Sequence, residues 1–149
     1  MIKNAVIGAT LAFLFLLSGC ASVPMASKDE DMKLKQFNVP PEDKAGLYIY
    51  RNTFGGQALK KNVYVDGEFI GETANKVYFY KLIAPGSHTL STESEFGDNS
   101  VSFEAIGGNN YYAEQYIRMG VFVGGANIRM VDEDEAQKDI LECNLATQR

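Results

Sequence analysis

The 149-residue chain has no tryptophan, one histidine (His88), two cysteines (Cys20 and Cys143) and four prolines. A single histidine confines every Ser-His-Asp, Cys-His or imidazole acid–base scheme to that residue. One histidine and one spare thiol fall short of the ligand set of a structural zinc site. Two cysteines, one of them closing an apolar run, do not make a disulfide framework. Basic excess is also lacking: 14 Lys and Arg against 19 Asp and Glu leave −5 at pH 7. No electrostatic footprint for nucleic acid is present, so that partner class is excluded. The pairs Gly55-Gly56, Gly107-Gly108 and Gly124-Gly125 are not followed by Gly-Lys-Ser/Thr. They read as turns or bulges, not phosphate cradles. Asp132-x-Asp134 begins like a calcium loop, but Ala136 and Gln137 stand where an oxygen ligand and a glycine are needed. No metal or cofactor is expected.

What is present begins at the N-terminus. Met1-Ile2-Lys3-Asn4 carries one positive side chain, and Ala5 to Leu17 is a run without charge. The run is shorter than the ~20 residues a membrane-spanning helix needs, and its length fits a secretory signal. It ends in Leu17-Ser18-Gly19-Cys20. These residues resemble a bacterial lipobox: a branched residue, two small residues, and the cysteine that takes the lipid. Residues 1–19 are therefore expected to be removed by cleavage between Gly19 and Cys20, with Cys20 acylated. Several acyl chains hold a protein on a membrane where one does not. Ala21, not Asp, follows the cysteine, which by resemblance to the Gram-negative sorting rule favours the outer membrane.

Residues 20–41 read as the lipidated cysteine and a flexible tether. Ser, Pro, Lys and Asp predominate, no apolar period is sustained, and Pro40-Pro41 blocks helix. Such a segment spans roughly 25 Å root-mean-square, with Phe37 and Val39 able to dock on the domain. Residues 42–142 carry strand signals. Leu47-Tyr48-Ile49-Tyr50 is aromatic and β-branched, and Asp66-Gly67 separates two strand-like runs as in a type I′ hairpin. Lys76 to Leu82, His88 to Phe96, Ser100 to Ala105, Tyr111 to Met119 and Ala126 to Val131 follow, with turns at Ala84-Pro85-Gly86-Ser87, Gly97-Asp98-Asn99 and Gly107 to Asn110. No long helix alternates with them, which predicts an all-β fold, a small antiparallel β-sandwich. Asp132 to Leu141 predicts one short C-terminal helix. Asp132 is its cap, Glu135 completes a capping box, and Ala136, Ile140 and Cys143 form one apolar face. Residues 143–149 read as a tail.

The chain resembles the bacterial family called domain of unknown function 2846, common in predicted lipoproteins. The matching pieces are Pro41-x-x-x-Ala45-x-Leu47-Tyr48-x-Tyr50-Arg51, Val65-Asp66-Gly67-x-x-Ile70-Gly71, Pro85-Gly86-x-His88-x-Leu90, Tyr111-Tyr112 and the Val131-to-Leu141 ending, over roughly residues 41–142. The Asp-Gly hairpin followed by Pro-Gly-x-His also looks like PEGA-type sandwich modules. The resemblance implies an all-β envelope domain and carries over no catalytic residues.

The expected function is therefore that of a lipid-anchored, non-catalytic envelope protein on the periplasmic face. It is held to the membrane by the lipid on Cys20 and serves as an accessory module for an envelope protein partner. The candidate binding surface is Tyr48, Tyr50, Tyr78 and Tyr80, with Val121, Phe122 and Val123 between their flanking glycines. Tyrosine ladders bind glycans or peptides when exposed, and cover a sheet when not. A dry core holding them favours the alternative, a structural or stress-related lipoprotein binding a small ligand or glycan. A hydrolase would have to use His88, buried in a cleft beside Asp98 or Glu104. Cys143, on the apolar helix face, reads as a small buried hydrophobe.

Overall fold

The turn and strand signals resolve into two stacked sheets in a computed structural model that describes residues 21–94, 97–120 and 124–149. Helix α1 (Lys28–Leu34) comes first. Eight strands follow: β1 (Ala45–Arg51), β2 (Lys61–Val65), β3 (Glu68–Thr73), β4 (Val77–Ile83), β5 (Gly86–Ser94), β6 (Gly97–Ala105), β7 (Asn110–Arg118) and β8 (Gly125–Met130). Helix α2 (Glu133–Leu141) and β9 (Asn144–Leu145) close the chain. One sheet has the order β8-β7-β1-β4-β9 and the other β3-β2-β5-β6. The fold is the expected all-β sandwich with a short C-terminal helix. Its pairing is not wholly antiparallel: β1 lies parallel to β7, and β4 parallel to β9. The four strands of the second sheet, with β4, lie in sequence between β1 and β7, a crossover long enough to bring the chain back in the same direction.

Leu47 and Ile49 face the second sheet and pack with Val63, Val65, Ile70, Phe79, Leu90 and Ala113 in the main core. Asp66 and Gly67 turn the β2–β3 hairpin with φ of 52° and 79°, as a type I′ turn requires. Gly71 sits at φ 156°, and a Cβ there would come within 2.8 Å of the Phe79 ring, so the two sheets close over a missing side chain. Gln115 donates to Asn62 O at 3.2 Å and Thr92 Oγ1 at 2.6 Å and accepts from Thr73 Oγ1, fastening β7 to the opposite sheet inside the core.

The tether and the tail are corrected. Residues from Ala21 onward are folded onto the domain. Ser27 accepts from Glu30 N, and Glu30 accepts from Ser27 N, a capping box that starts α1. Val23 is buried, Met25 bridges Ala146, and Thr147 N donates to Pro24 O. Phe37 docks on the domain and Val39 stays in solvent. The last residues supply β9 and the buried Leu145 and Ala146, because β4 would otherwise present an open edge. The expected cap of α2 is also corrected: Asp132 occupies the N-cap but its side chain makes no capping bond. The acids of the first turn still favour the helix dipole, and Ala136, Ile140 and Cys143 are buried on one face as expected.

Candidate functional site

The predicted tyrosine surface is a second core. Tyr48, Tyr50 and Tyr78 are buried, and Tyr80 is half-buried. They lie on the outer face of the five-stranded sheet, which α1 and α2 cover with Leu34, Phe37, Ala136, Ile140 and Cys143. The Tyr48 ring stacks on Tyr112 at 5.3 Å and tilts against Tyr80 at 4.6 Å and Phe37 at 5.5 Å. Its hydroxyl donates to Leu34 O at 2.9 Å. Phe37, at φ 51°, turns the chain so that its ring drops onto Tyr48 and Tyr112. Burial raises the pKa of all four tyrosines, with neighbouring acids adding to it at Tyr50 and Tyr78. The expectation of a tyrosine ladder open to a glycan or peptide is thereby corrected: the helices occupy that face. Val121, Phe122 and Val123 lie outside the described residues, as do Leu17, Ser18, Gly19 and Cys20.

His88 is a clasp. Its Nδ1 is 2.6 Å from Asp66 Oδ2 and its Nε2 is 2.7 Å from Ala84 O, so both nitrogens face acceptors. Asp66 Oδ1 accepts from Thr89 N at 2.8 Å. The three groups tie the β2–β3 turn, the loop before β5 and β5 itself together. Burial works against charge on the ring. The Asp66 hydrogen bond and charge and the Ala84 carbonyl outweigh it, and the His88 pKa rises above 6.5. For Asp66, burial is likewise outweighed, by Thr89 N–H and His88, and its pKa falls below 3.8. Both ring nitrogens are thus engaged by groups of the domain itself. The ring lies against the Asp66 carboxylate and the Phe103 ring at 5.9 Å, with the Glu104 charge also favouring its protonated form.

Cys143 is buried, and burial pushes its thiol up to about 12. A thiol so placed stays protonated and is a poor nucleophile. It donates to Asp139 O at 3.3 Å and packs in the tyrosine core.

Sequence reading missed Arg51. It is fully buried at the end of β1, and its Nη2 donates to Gly56 O at 2.9 Å and Leu59 O at 2.8 Å. Its Nε and Nη1 have no hydrogen-bond partner among the described residues. Burial lowers its pKa to about 10. The guanidinium shapes the Asn52–Lys60 loop from beneath. Thr53 N donates to Asn75 Oδ1 at 3.2 Å, and Leu59 N to Gly56 O at 2.9 Å. The loop then holds Phe54 in water at 98% exposure. Beside it, Ile117 lies against Gly56 and Gly124, and Met119 is 95% exposed. Ala21 N donates to Gln57 O at 3.3 Å, so the chain leaves for Cys20 from this same loop. An open groove of about 400 Å³, lined by Ala21, Val23, Ala74 and Val77 among others, runs alongside. The signals for this end were the glycine pairs Gly55-Gly56 and Gly124-Gly125 and the apolar Val121-Phe122-Val123 run between glycines.

These features define a class: a β-sandwich with one helix-covered face, a locked histidine, a buried thiol and an apolar loop end where the N-terminus departs. The chain belongs to the family described as Protein of unknown function (DUF2846), whose model matches residues 41–126. The match ends before α2, so the helical cover of the tyrosines lies outside it on both sides. An uncharacterized protein of Haemophilus influenzae is 49% identical over 144 residues, covering 97% of this chain and 83% of that one. No solved structure matches. Among the described residues, no helix is long and apolar enough to cross a membrane.

Proposed function

We propose that this protein is a lipid-anchored envelope lipoprotein whose sandwich domain is a non-catalytic accessory module on the periplasmic face of the outer membrane. The observation that carries the reading is Leu17-Ser18-Gly19-Cys20 directly behind an uncharged run, followed at once by Ala21, where the folded domain starts. Cleavage before Cys20 would remove the apolar run and leave the whole sandwich intact. The doubly bound His88 and the protonated Cys143 support a role without covalent or acid–base chemistry. Burial of the tyrosines favours the structural variant of this reading over a glycan- or peptide-binding ladder. Ala21 after the cysteine supports outer-membrane sorting.

The test is metabolic labelling with an alkyne palmitate, with mass spectrometry of the mature N-terminus. The expected result is acyl mass on Cys20, none on Cys20→Ser, and wild-type protein in the outer-membrane fraction. Label that persists in Cys20→Ser, or a mature N-terminus elsewhere, would overturn the reading.

A further inference from the structure

We infer that the end of the sandwich carrying Phe54 and Met119 lies on the lipid surface, so that the domain is seated on its membrane in a fixed orientation. The inference rests on the lipid at Cys20 proposed above and adds where the domain then sits. Ala21 is hydrogen-bonded to Gln57, and Val23 is in the core. One residue separates Ala21 from the lipid, and one residue of chain reaches at most about 3.6 Å. The acyl chains must therefore leave from beside the Asn52–Lys60 loop. A free tether would let every face meet the membrane; this attachment brings one end to it.

The chemistry of that end fits a bilayer interface. Phe54 and Met119 are the most exposed large apolar side chains among the described residues. An aromatic ring held almost wholly in water is unfavourable by the area it leaves unburied, and an apolar side chain such as Phe gains by burial at the headgroup–acyl boundary of a membrane. Lys60, at the end of the Phe54 loop, and Arg118, the last residue of β7 before Met119, are exposed and suit anionic headgroups, while the acids nearest the loop, Asp139 and Glu142, are engaged by Asn52, and Glu142 also by Lys76. The opposite end is different. Ile106 and Val39 are exposed there too, at 63% and 75%, but beside exposed Glu42, Asp43 and Lys44 and the Glu133–Glu135 turn of α2, where acids outnumber bases, a balance that suits anionic lipid less well. The Asn52–Lys60 loop is also preorganised: Arg51 holds two of its carbonyls, so Phe54 meets the surface without first ordering the loop.

Because the chain contains no tryptophan, one substitution gives a single reporter. The experiment uses the full, lipidated protein in vesicles of phosphatidylethanolamine and phosphatidylglycerol, as Phe54→Trp and, separately, Ile106→Trp, with acylation read by mass in both. The expected result is blue-shifted tryptophan emission from the Phe54→Trp protein, quenched by brominated lipid several-fold more strongly than emission from the Ile106→Trp protein. Acylated protein with both reporters equally unquenched would overturn the inference and leave the lipoprotein reading standing. Stronger quenching in the Ile106→Trp protein would do the same, and would put the other end down. Absence of acyl mass on Cys20 would overturn both.

Discussion

The two sheets of this sandwich bury their residues differently. In β1 every residue from Ala45 to Arg51 is buried. In β2, Val63 and Val65 are buried while Asn62 and Tyr64 are half-exposed. Both strands contain tyrosines, yet Tyr48 and Tyr50 are core and Tyr64 is surface. The difference is a third layer. Helices α1 and α2 lie on the outer face of the five-stranded sheet, whereas among the described residues no helix covers the outer face of the four-stranded sheet. The same residue type thus supports the fold on one sheet and only covers it on the other.

That contrast can be broken most strongly at Tyr48. Tyr48→Ala empties a site where four aromatic rings meet, and urea unfolding is expected to show a loss of about 3–5 kcal/mol, as for other large aromatic truncations. Tyr64→Ala, against Phe69 alone, is expected to cost about 1 kcal/mol. Equal losses would mean that the helices add nothing to the tyrosine face.

The next effect tests how closely the sheets approach. Gly71→Ala places a methyl group against Phe79 at a φ that side chains avoid, and a loss of about 1–3 kcal/mol is expected by the same unfolding measurement. A smaller one is the capping box of α1. Ser27→Ala is expected to cost about 1 kcal/mol and to speed amide exchange in Lys28–Leu34 and, through the Lys35 Nζ–Cys143 O and Leu145 N–Asp31 Oδ1 bonds, in the chain just after α2, more than in the body of α2.

The smallest effect sharpens the comparison on the exposed sheet, where polar groups do the fastening. The folded His88 pKa is raised, so its contribution to stability is complete below about 6.5 and is lost as pH rises through the folded value. The folded Asp66 pKa is lowered, so its contribution holds above 3.8 and is lost as pH falls through the folded value. Asp66→Asn keeps a residue tolerated at φ 52° and removes the charge. The single histidine resonance is expected to titrate nearer its ordinary midpoint. The stability lost relative to wild type is expected to be largest at about pH 5–6 and to shrink above that. An unchanged titration would show that Asp66 does not hold the ring.

Much of this was legible in the chain. The Asp66-Gly67 turn, the strand runs and the apolar face at Ala136, Ile140 and Cys143 each follow from local rules. The correction at the tyrosines was legible in part: Leu47-Tyr48-Ile49-Tyr50 does not alternate apolar with polar, and a run without alternation marks a strand covered on both faces. Ser27-x-x-Glu30 was a readable helix start inside the segment read as tether, whereas Asp132-x-x-Glu135 had the same spacing and formed no cap. Arg51 stood in the family-like motif but carried no signal of burial, because nothing local distinguishes a guanidinium that will be buried under a loop from one that will point into water.

The sequence by itself determined the all-β class, the hairpin turn, the C-terminal helix and the expectation of a lipid at Cys20. Each depends on neighbours within a few positions, where backbone geometry and side-chain period act directly. The tertiary structure decided the parallel pairings, the helical cover over the tyrosines, the clasp at His88 and the docking of Ala21 against Gln57. Those depend on contacts between segments distant along the chain, which no local period records.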